Sequence, residues 1–460
     1  MKKSKIVMMF TVSILSYSSV LFASPSFFSG PLSTLGKVST QQTILSATIN
    51  PAAGEYVVAN KYRWSYLANA GLSFEIGEVD DLVDSLDDLT TELDRLEQEA
   101  DDLFKIVTLS EVIAVQNQFN EFLIELDKKG TIQVDIQTRV PVFPIAIRSD
   151  FLKGVVTLDA KLDMGINALF IDSPLEIIIP TFPDLNYRLT TDTAVNLNSA
   201  EVKSFSVGYS HDLDNSLFKG KTNHFTQDGG RLLVGAQLNM YQATLSSQII
   251  AIDEDGENED IGDLIGDGYD ESQVDSKEFG LDLGILWIKD HFQFGASWKN
   301  INEPSFESTT LGQNCSAIAS PTLQNNCLIA VSLGASGLLD LNPEYVMESQ
   351  ISIEAATTTA NKHWIFAASY DINEVSGLAE DAYQWLTASA SYFPDSLWIP
   401  SARVGWRSNF GGSELNYANV GLTLFGGTHI DFSLALDSID VDGDSLPRSL
   451  AVNIGFERRF

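Results

Sequence analysis

From Thr131 to the C-terminus the chain repeats with a period of two. Ile132, Val134, Ile136 and Val140 alternate with Gln133, Asp135, Gln137 and Arg139. Val156, Leu158, Ala160, Leu162, Met164, Ile166 and Ala168 alternate with Thr157, Asp159, Lys161, Asp163, Gly165 and Asn167. The last run keeps the same rhythm: Leu450, Val452, Ile454 and Phe456 are apolar, whereas Ser449, Ala451, Asn453, Gly455 and Glu457 are small or polar. Successive strand side chains point to opposite faces, so each run predicts one apolar and one wet face. Further runs fall at about 186–197, 201–211, 231–249, 277–288, 291–300, 346–357, 363–371, 383–393, 400–408, 415–425 and 428–437, making fourteen from Thr131 onward. They exceed ordinary soluble strands of roughly five or six residues and suit tilted membrane-spanning strands of about ten.

The connections alternate in length. Lys289-Asp290, Thr358 to Asn361, Pro394-Asp395 and Gly426-Gly427 are short, whereas 250–276, 301–345, 372–382, 409–414 and 438–447 are long. Short turns at one end and long loops at the other is the arrangement of a transmembrane barrel, and an even strand number keeps both chain ends on one side. Aromatics stand where strands should end, at Trp287, Trp298, Trp364, Tyr370, Trp385, Tyr392, Phe393, Trp398, Trp406 and Phe425, as interfacial girdles would require. Mid-strand charges fall opposite the apolar faces: Asp159, Lys161, Asp282, Glu348, Glu354, Arg403 and Asp431. Their mixed signs predict a lumen with internal pairing. The expected fold is therefore an all-β transmembrane barrel of about fourteen antiparallel strands at 131–460.

The N-terminal part follows other rules. Lys2, Lys3 and Lys5 precede an apolar run from Ile6 to Leu21, and Phe22-Ala23 before Ser24 offers a cleavage site, so 1–23 reads as a secretory signal peptide. Residues 24–78 hold a Ser/Thr-rich stretch, the turn signal Asn50-Pro51-Ala52, and a strand-like segment from Tyr62 to Ile76 that could add to the wall. At 79–130 the period becomes helical. Leu82, Leu86, Leu89, Leu93, Leu96, Ala100 and Leu103 form a stripe beneath an acidic face, and Val112, Phe119, Phe122 and Leu126 form a second one that stops at Gly130. An acidic helical hairpin with its stripes facing each other is expected.

Composition narrows the function more than it names it. A formal net charge of −34 excludes a phosphate-backbone binder, so no nucleic-acid partner is expected. No stretch reaches eighteen uninterrupted apolar residues, so no membrane-spanning helix is expected. Cys315 and Cys327 lie in one loop of an exported chain and suggest a local disulfide; their spacing is not C-x-x-C. The five histidines show no ligand spacing, and neither a G-x-S-x-G elbow nor an H-x-S pair occurs, so no enzyme, cofactor or metal centre is expected. The acidic clusters at 253–270 and 440–444 lack calcium-loop spacing and read as solvated loops.

Several segments carry family resemblances. The final strand, with Phe456 and the terminal Phe460, resembles the C-terminal strand of bacterial outer-membrane barrels, which the assembly machinery reads. The stretch from Ala47 through Asn50-Pro51-Ala52 to Gly54 resembles the N-terminal plug of FadL-like long-chain fatty-acid transporters. Glu75–Asp84, Leu281–Trp287, Trp298–Phe306, Tyr383–Trp385, Trp398–Pro400, Gly412–Ala418 and Pro447–Leu450 together resemble the exported F-plasmid transfer-operon TraF-like proteins. These resemblances imply an outer-membrane barrel of a Gram-negative bacterium, contacting membrane lipid and the barrel assembly machinery. They imply a passive channel or binding protein for small hydrophobic or amphipathic molecules. The alternative they leave open is a structural or docking component of a conjugation or cell-surface apparatus, with the helical hairpin as its docking element.

Overall fold

The large apolar side chains of this protein stand on its outside. Ile454 is 56% exposed, Val420 50% and Phe432 49%, whereas Asn453 and Asp431 on the opposite faces of the same strands are fully buried. That inversion is what the period-two pattern encodes: rows that would form the core of a soluble sheet instead face an apolar surrounding. The computed structural model describes residues 28–58, 63–78, 95, 109–140, 142–178, 188–213, 230–251, 261–377, 382–394, 398–424, 427–441 and 444–460. The expected signal peptide and nearly all of the first helical arm lie outside the described residues.

The wall is built from β1 (Trp64–Ile76), β2 (Thr131–Arg139), β3 (Ile145–Ser149), β4 (Gly154–Ile171), β5 (Ala194–Asp212), β6 (Arg231–Ala251), β7 (Val274–Lys289) and β8 (Phe292–Lys299). It continues through β9 (Gln350–Thr358), β10 (Trp364–Asp371), β11 (Trp385–Tyr392), β12 (Ser401–Asn409), β13 (Asn416–Leu424), β14 (Thr428–Ala435) and β15 (Ser449–Arg459). Neighbours in sequence are neighbours in space, all antiparallel, and β1 closes the ring by pairing with β15 from Ser65↔Arg459 to Glu75↔Ser449. β2 and β3 each pair with both β1 and β4, so they share one position in the wall. The fifteen-stranded sheet is thus a closed barrel of fourteen positions. The interruption falls at Val140–Pro144, where Pro144 has no N–H for the ladder.

The expected total of fourteen survives with two changes of membership. The runs at 186–197 and 201–211 are not separate wall strands: β5 runs unbroken from Ala194 to Asp212 and pairs along its length with β4 and β6. The polar stretch around Asn196–Ser199 looked like a connection because alternation fails there, and it fails because residues 194–202 are buried on both faces. Tyr62–Ile76 supplies the compensating strand, β1. Glu348 also moves. Alternation continues through Met347 and Ser349, but the ladder of β9 begins only at Gln350, so Glu348 is exposed above the wall rather than set in it.

β4 to β7 have 18, 19, 21 and 16 residues, twice the 8 or 9 of β8 to β14. Their extra length rises at the end that carries the long loops. There α-helices cover the sheet where the apolar surrounding stops. In Leu109–Lys129, Phe122 and Leu123 are buried against Leu175; in Ile261–Ser272, Ile265 enters the cluster formed with Val195 and Ile250. Helix Pro321–Ser336 packs Ala330 and Leu333 on Ile249 and Ala194, and its neighbouring turn is joined to it by a Cys315–Cys327 disulfide.

Aromatics ring both ends of the belt. Trp64, Trp364 and Phe460 mark the turn end, and Trp298, Tyr370 and Trp406 the loop end. Trp364 and Tyr370 are six residues apart on β10, roughly 20 Å of strand. Trp385, expected in a girdle, is instead buried on the inner face. At the seam the Phe460 ring stacks on Trp64 with centroids 4.3 Å apart, and the Phe460 N–H donates to the Trp64 carbonyl at 2.8 Å. Phe456 is half-buried on the same strand, with the Arg458 guanidinium 5.7 Å from its ring centroid.

The inverted surface gives a direct test. Ile454→Arg or Phe432→Lys should cost about 2–4 kcal/mol each, the penalty for a charge facing mid-membrane lipid. Leu338→Arg, on an equally exposed loop-end residue, should cost far less. The temperature at which unheated protein loses its anomalous gel mobility measures the difference.

Candidate functional site

The lumen is filled by the chain's own N-terminal segment. Residues 28–58 run through the barrel as short helices, Leu32–Leu35, Ser46–Ile49, a 3-10 turn at Pro51–Ala53, and Gly54–Val57. Nearly every residue in the segment is buried. The Asn50-Pro51-Ala52 turn is locally determined. The Asn50 side-chain oxygen accepts from the Ala52 N–H at 3.1 Å as an N-cap, and Pro51 occupies the first helical position, where its missing N–H costs nothing.

The wall is shaped to receive this turn. Gly235 on β6 lies directly opposite Gly284 on β7. A methyl group at Gly235 would collide with the Pro51 backbone, and one at Gly284 with the Asn50 oxygen. Glu354 on β9 holds the turn from another side, accepting from Asn50 Nδ2 at 2.9 Å, from Ser39 Oγ at 2.5 Å and from the Ser39 N–H. One wall carboxylate therefore ties together two parts of the segment that are eleven residues apart in sequence (39 and 50).

Other wall charges repeat the device. Arg403 and Asp431 pair at 2.9 Å with side chains 1% and 0% exposed, and Thr34 Oγ1 donates to the same Asp431 oxygen at 3.4 Å. Lys37 Nζ meets Asp371 at 2.8 Å and donates to Gln350 Oε1 at 2.5 Å. Arg148 and Glu55 pair at 2.6 Å. Burial raises the Glu55 pKa, with Arg148 opposing the shift, and burial pushes the neighbouring Tyr56 to about 12, so its phenol stays neutral. The segment's first residues are held too. The Gly30 N–H donates to Asn453 Oδ1 at 2.9 Å, and Phe28 joins Trp385 and Tyr417 around the Arg407 guanidinium, 4.5–5.1 Å from each centroid. Those rings stand where Arg407 Nε and Nη1 have no hydrogen-bond partner among the described residues.

Cavities remain, two of which bear on function. The inner one, of about 170 Å³, is lined by Phe28, Leu32 and Ile49 of the segment and by Tyr383 and Trp385. Charged groups line it too: Lys37 of the segment, and on the wall Asp159, paired with Arg139 at 3.4 Å, and Lys161, paired with Asp163 at 2.5 Å. Asp282 also lines it, accepting from Asn239 Nδ2 and the Asn300 N–H, each at 2.9 Å. The outer cavity, of about 280 Å³, opens toward the loops between Leu245, Ser308, Pro343 and Val346. Among the described residues no group of three His, Cys, Asp or Glu could hold a metal ion.

Residues 47–371 match the family described as F plasmid transfer operon, TraF, protein. The chain belongs to this family. No curated protein matches this TraF-family chain. Among solved structures it is similar to the Ralstonia pickettii toluene transporter TbuX, at 11% identity and TM-score 0.40, covering 94% of this chain and 98% of that one. It is also similar to the P. putida toluene transporter TodX, at 9% identity and TM-score 0.44, covering 94% and 98%. Similarity this distant adds nothing to the barrel already described.

The sequence pattern of the TraF-family chain pointed to six inward charges that the structure places on the inner face: Asp159, Lys161, Asp282, Glu354, Arg403 and Asp431. It did not point to Lys37, Arg148, Asp371 or Arg407. Asp371 and Arg407 both continue the inward rows of their strands, Asp371 at the last position of β10 and Arg407 four residues after Arg403 on β12, and the partner of Lys37 is 334 residues away.

Gly284→Val tests the seat. Overpacking of this kind costs about 1–3 kcal/mol, and here it should fall on the segment rather than on the wall. Limited proteolysis should cut the variant between residues 40 and 58 while the barrel keeps its anomalous migration. A cleavage pattern like that of the unsubstituted protein would show that the glycines do not hold the turn.

Proposed function

We propose that this protein is an outer-membrane barrel that binds small hydrophobic or amphipathic molecules and passes them through a lumen controlled by its N-terminal segment. The observation that carries the reading is the interior cavity whose lining combines apolar residues of that segment, Phe28, Leu32 and Ile49, with charged wall residues such as Asp159, Lys161 and Asp282. A ligand with an apolar body and a polar group could satisfy both kinds of lining. The apolar belt, its two aromatic rings and the short turns beside Phe460 support placement in a bilayer with the turn end toward the periplasm. In the same reading lipid covers the belt, and the assembly machinery engages β15 through Phe456 and Phe460.

Protein reconstituted in liposomes should take up the fluorescent probe N-phenyl-1-naphthylamine. Deletion of residues 24–60 should make uptake faster, because the polar ties of the segment would be replaced by water in an open lumen. Equal rates with and without the segment would reject control by it. A second reading, a docking component of a surface or conjugation apparatus, draws on Ile113 and Ile124, which are 40% and 41% exposed on helix Leu109–Lys129. Under that reading, deletion of 79–129 abolishes recovery of a bound partner and leaves barrel migration intact.

A further inference from the structure

The outer and inner cavities are neighbours: Tyr345, Glu348 and Ser376 line both. Those three residues therefore stand between the loop-end chamber and the lumen. Two of them are bonded to the third from opposite sides. Tyr345 Oη donates to the Ser376 carbonyl at 3.4 Å, and the Ser376 N–H donates to Glu348 Oε2 at 2.7 Å. Residues 345 and 348 thus grip both backbone polar groups of a single residue on a separate loop.

The hairpin buries one of its two rings fully and the other only in part. Ser305–Glu307 pairs with Glu344–Val346, placing Phe306 opposite Tyr345. Phe306 is fully buried and meets the inward Tyr241 edge-on, with centroids 6.2 Å apart. Tyr345 stacks on Phe306, also at 6.2 Å, but is only half-buried, and its hydroxyl bond is near the long limit for a hydrogen bond. Burial holds the phenol well above its ordinary pKa, so it remains a donor.

We propose that Tyr345 is the door between the two chambers, with Glu348 and Ser376 as its latch, and that a ligand entering from the loop end must displace this ring. The proposal rests on the lumen reading for its biological meaning, but the connection between the chambers can be measured without any transport.

Full-length protein in detergent carries Ser204→Cys, which reports on the inner chamber, or Ser308→Cys, which reports on the outer one. Each is treated with N-ethylmaleimide, the native disulfide being left oxidised. Ser308→Cys should label quickly whatever stands at position 345. Ser204→Cys should label slowly beside Tyr345. Tyr345→Phe keeps the ring and loses the latch bond, so it should speed labelling roughly fivefold, as expected when one neutral hydrogen bond no longer holds the closed state. Glu348→Gln should speed it in the same direction, and Tyr345→Ala should speed it most. Retained anomalous migration certifies that each variant still folds. Rapid labelling of Ser204→Cys beside intact Tyr345 overturns the proposal, and so do equal rates across the series. If labelling follows the prediction while liposomes show no probe uptake, the door stands and the transport reading fails.

Discussion

Every backbone N–H and C=O in the belt of this protein must find its partner within the chain, because the surrounding medium offers none. A sheet meets that demand only by closing, and the β1–β15 seam is where this chain does so. Closure then dictates the rest. With apolar rows turned outward, the alternate rows turn inward, and the interior inherits the Asp, Arg, Asn and Ser that a soluble protein would show to water. A ring of fourteen positions is too wide for those side chains to fill alone. The N-terminal segment occupies the remainder, and its packing follows from what the closed wall presents.

That segment and its wall show a division of labour. Where the segment comes closest, the wall withdraws its side chains: Gly235 and Gly284 admit Asn50 to Ala52, and Gly405 admits the Thr34 backbone. Where the wall presents charge, the segment supplies polar atoms, as at Glu354, Asp371 and Asp431. A deeply buried charge left alone would cost several kcal/mol. Inside a lumen, though, water can replace a departing partner, so each tie is worth nearer the net value of a hydrogen bond to a charged group, about 1.5–3 kcal/mol. The segment is accordingly held by many modest interactions and not by any large one. Such a fit is compatible with a definite resting position and with movement.

How much of this was legible in the sequence depended on whether one face of a strand was obliged to be apolar. Across the belt it was, and the alternation put Asp159, Lys161, Asp282, Glu354, Arg403 and Asp431 on the inner side, where they are found. Above the belt the obligation lapses. Residues 194–202 are buried on both faces, alternation vanishes, and one long strand reads as two short ones. Glu348 shows the opposite failure, since a pattern of side chains can run past the last ladder bond. Contacts such as Lys37 with Asp371 were beyond reach for a different reason. They join a segment without periodicity to a wall position hundreds of residues away, and only the closed ring brings the two together.

The uneven height of the wall bears on where access can be controlled. A strand in the ladder cannot yield without breaking bonds on both sides, so the belt is a poor place for a movable part. The loop end is different. There β4 to β7 rise beyond the shorter strands, and the chain between β8 and β9 folds inward against them, with Phe306 as its buried foot. What faces the lumen from that foot is Tyr345, attached to the fixed wall through a ring stack and to the next loop through one long hydrogen bond. Segments held by few and weak contacts open at the lowest free energy. The same closure that makes the wall rigid therefore leaves motion to the two parts outside the ladder: the segment filling the lumen and the loops folded over its mouth.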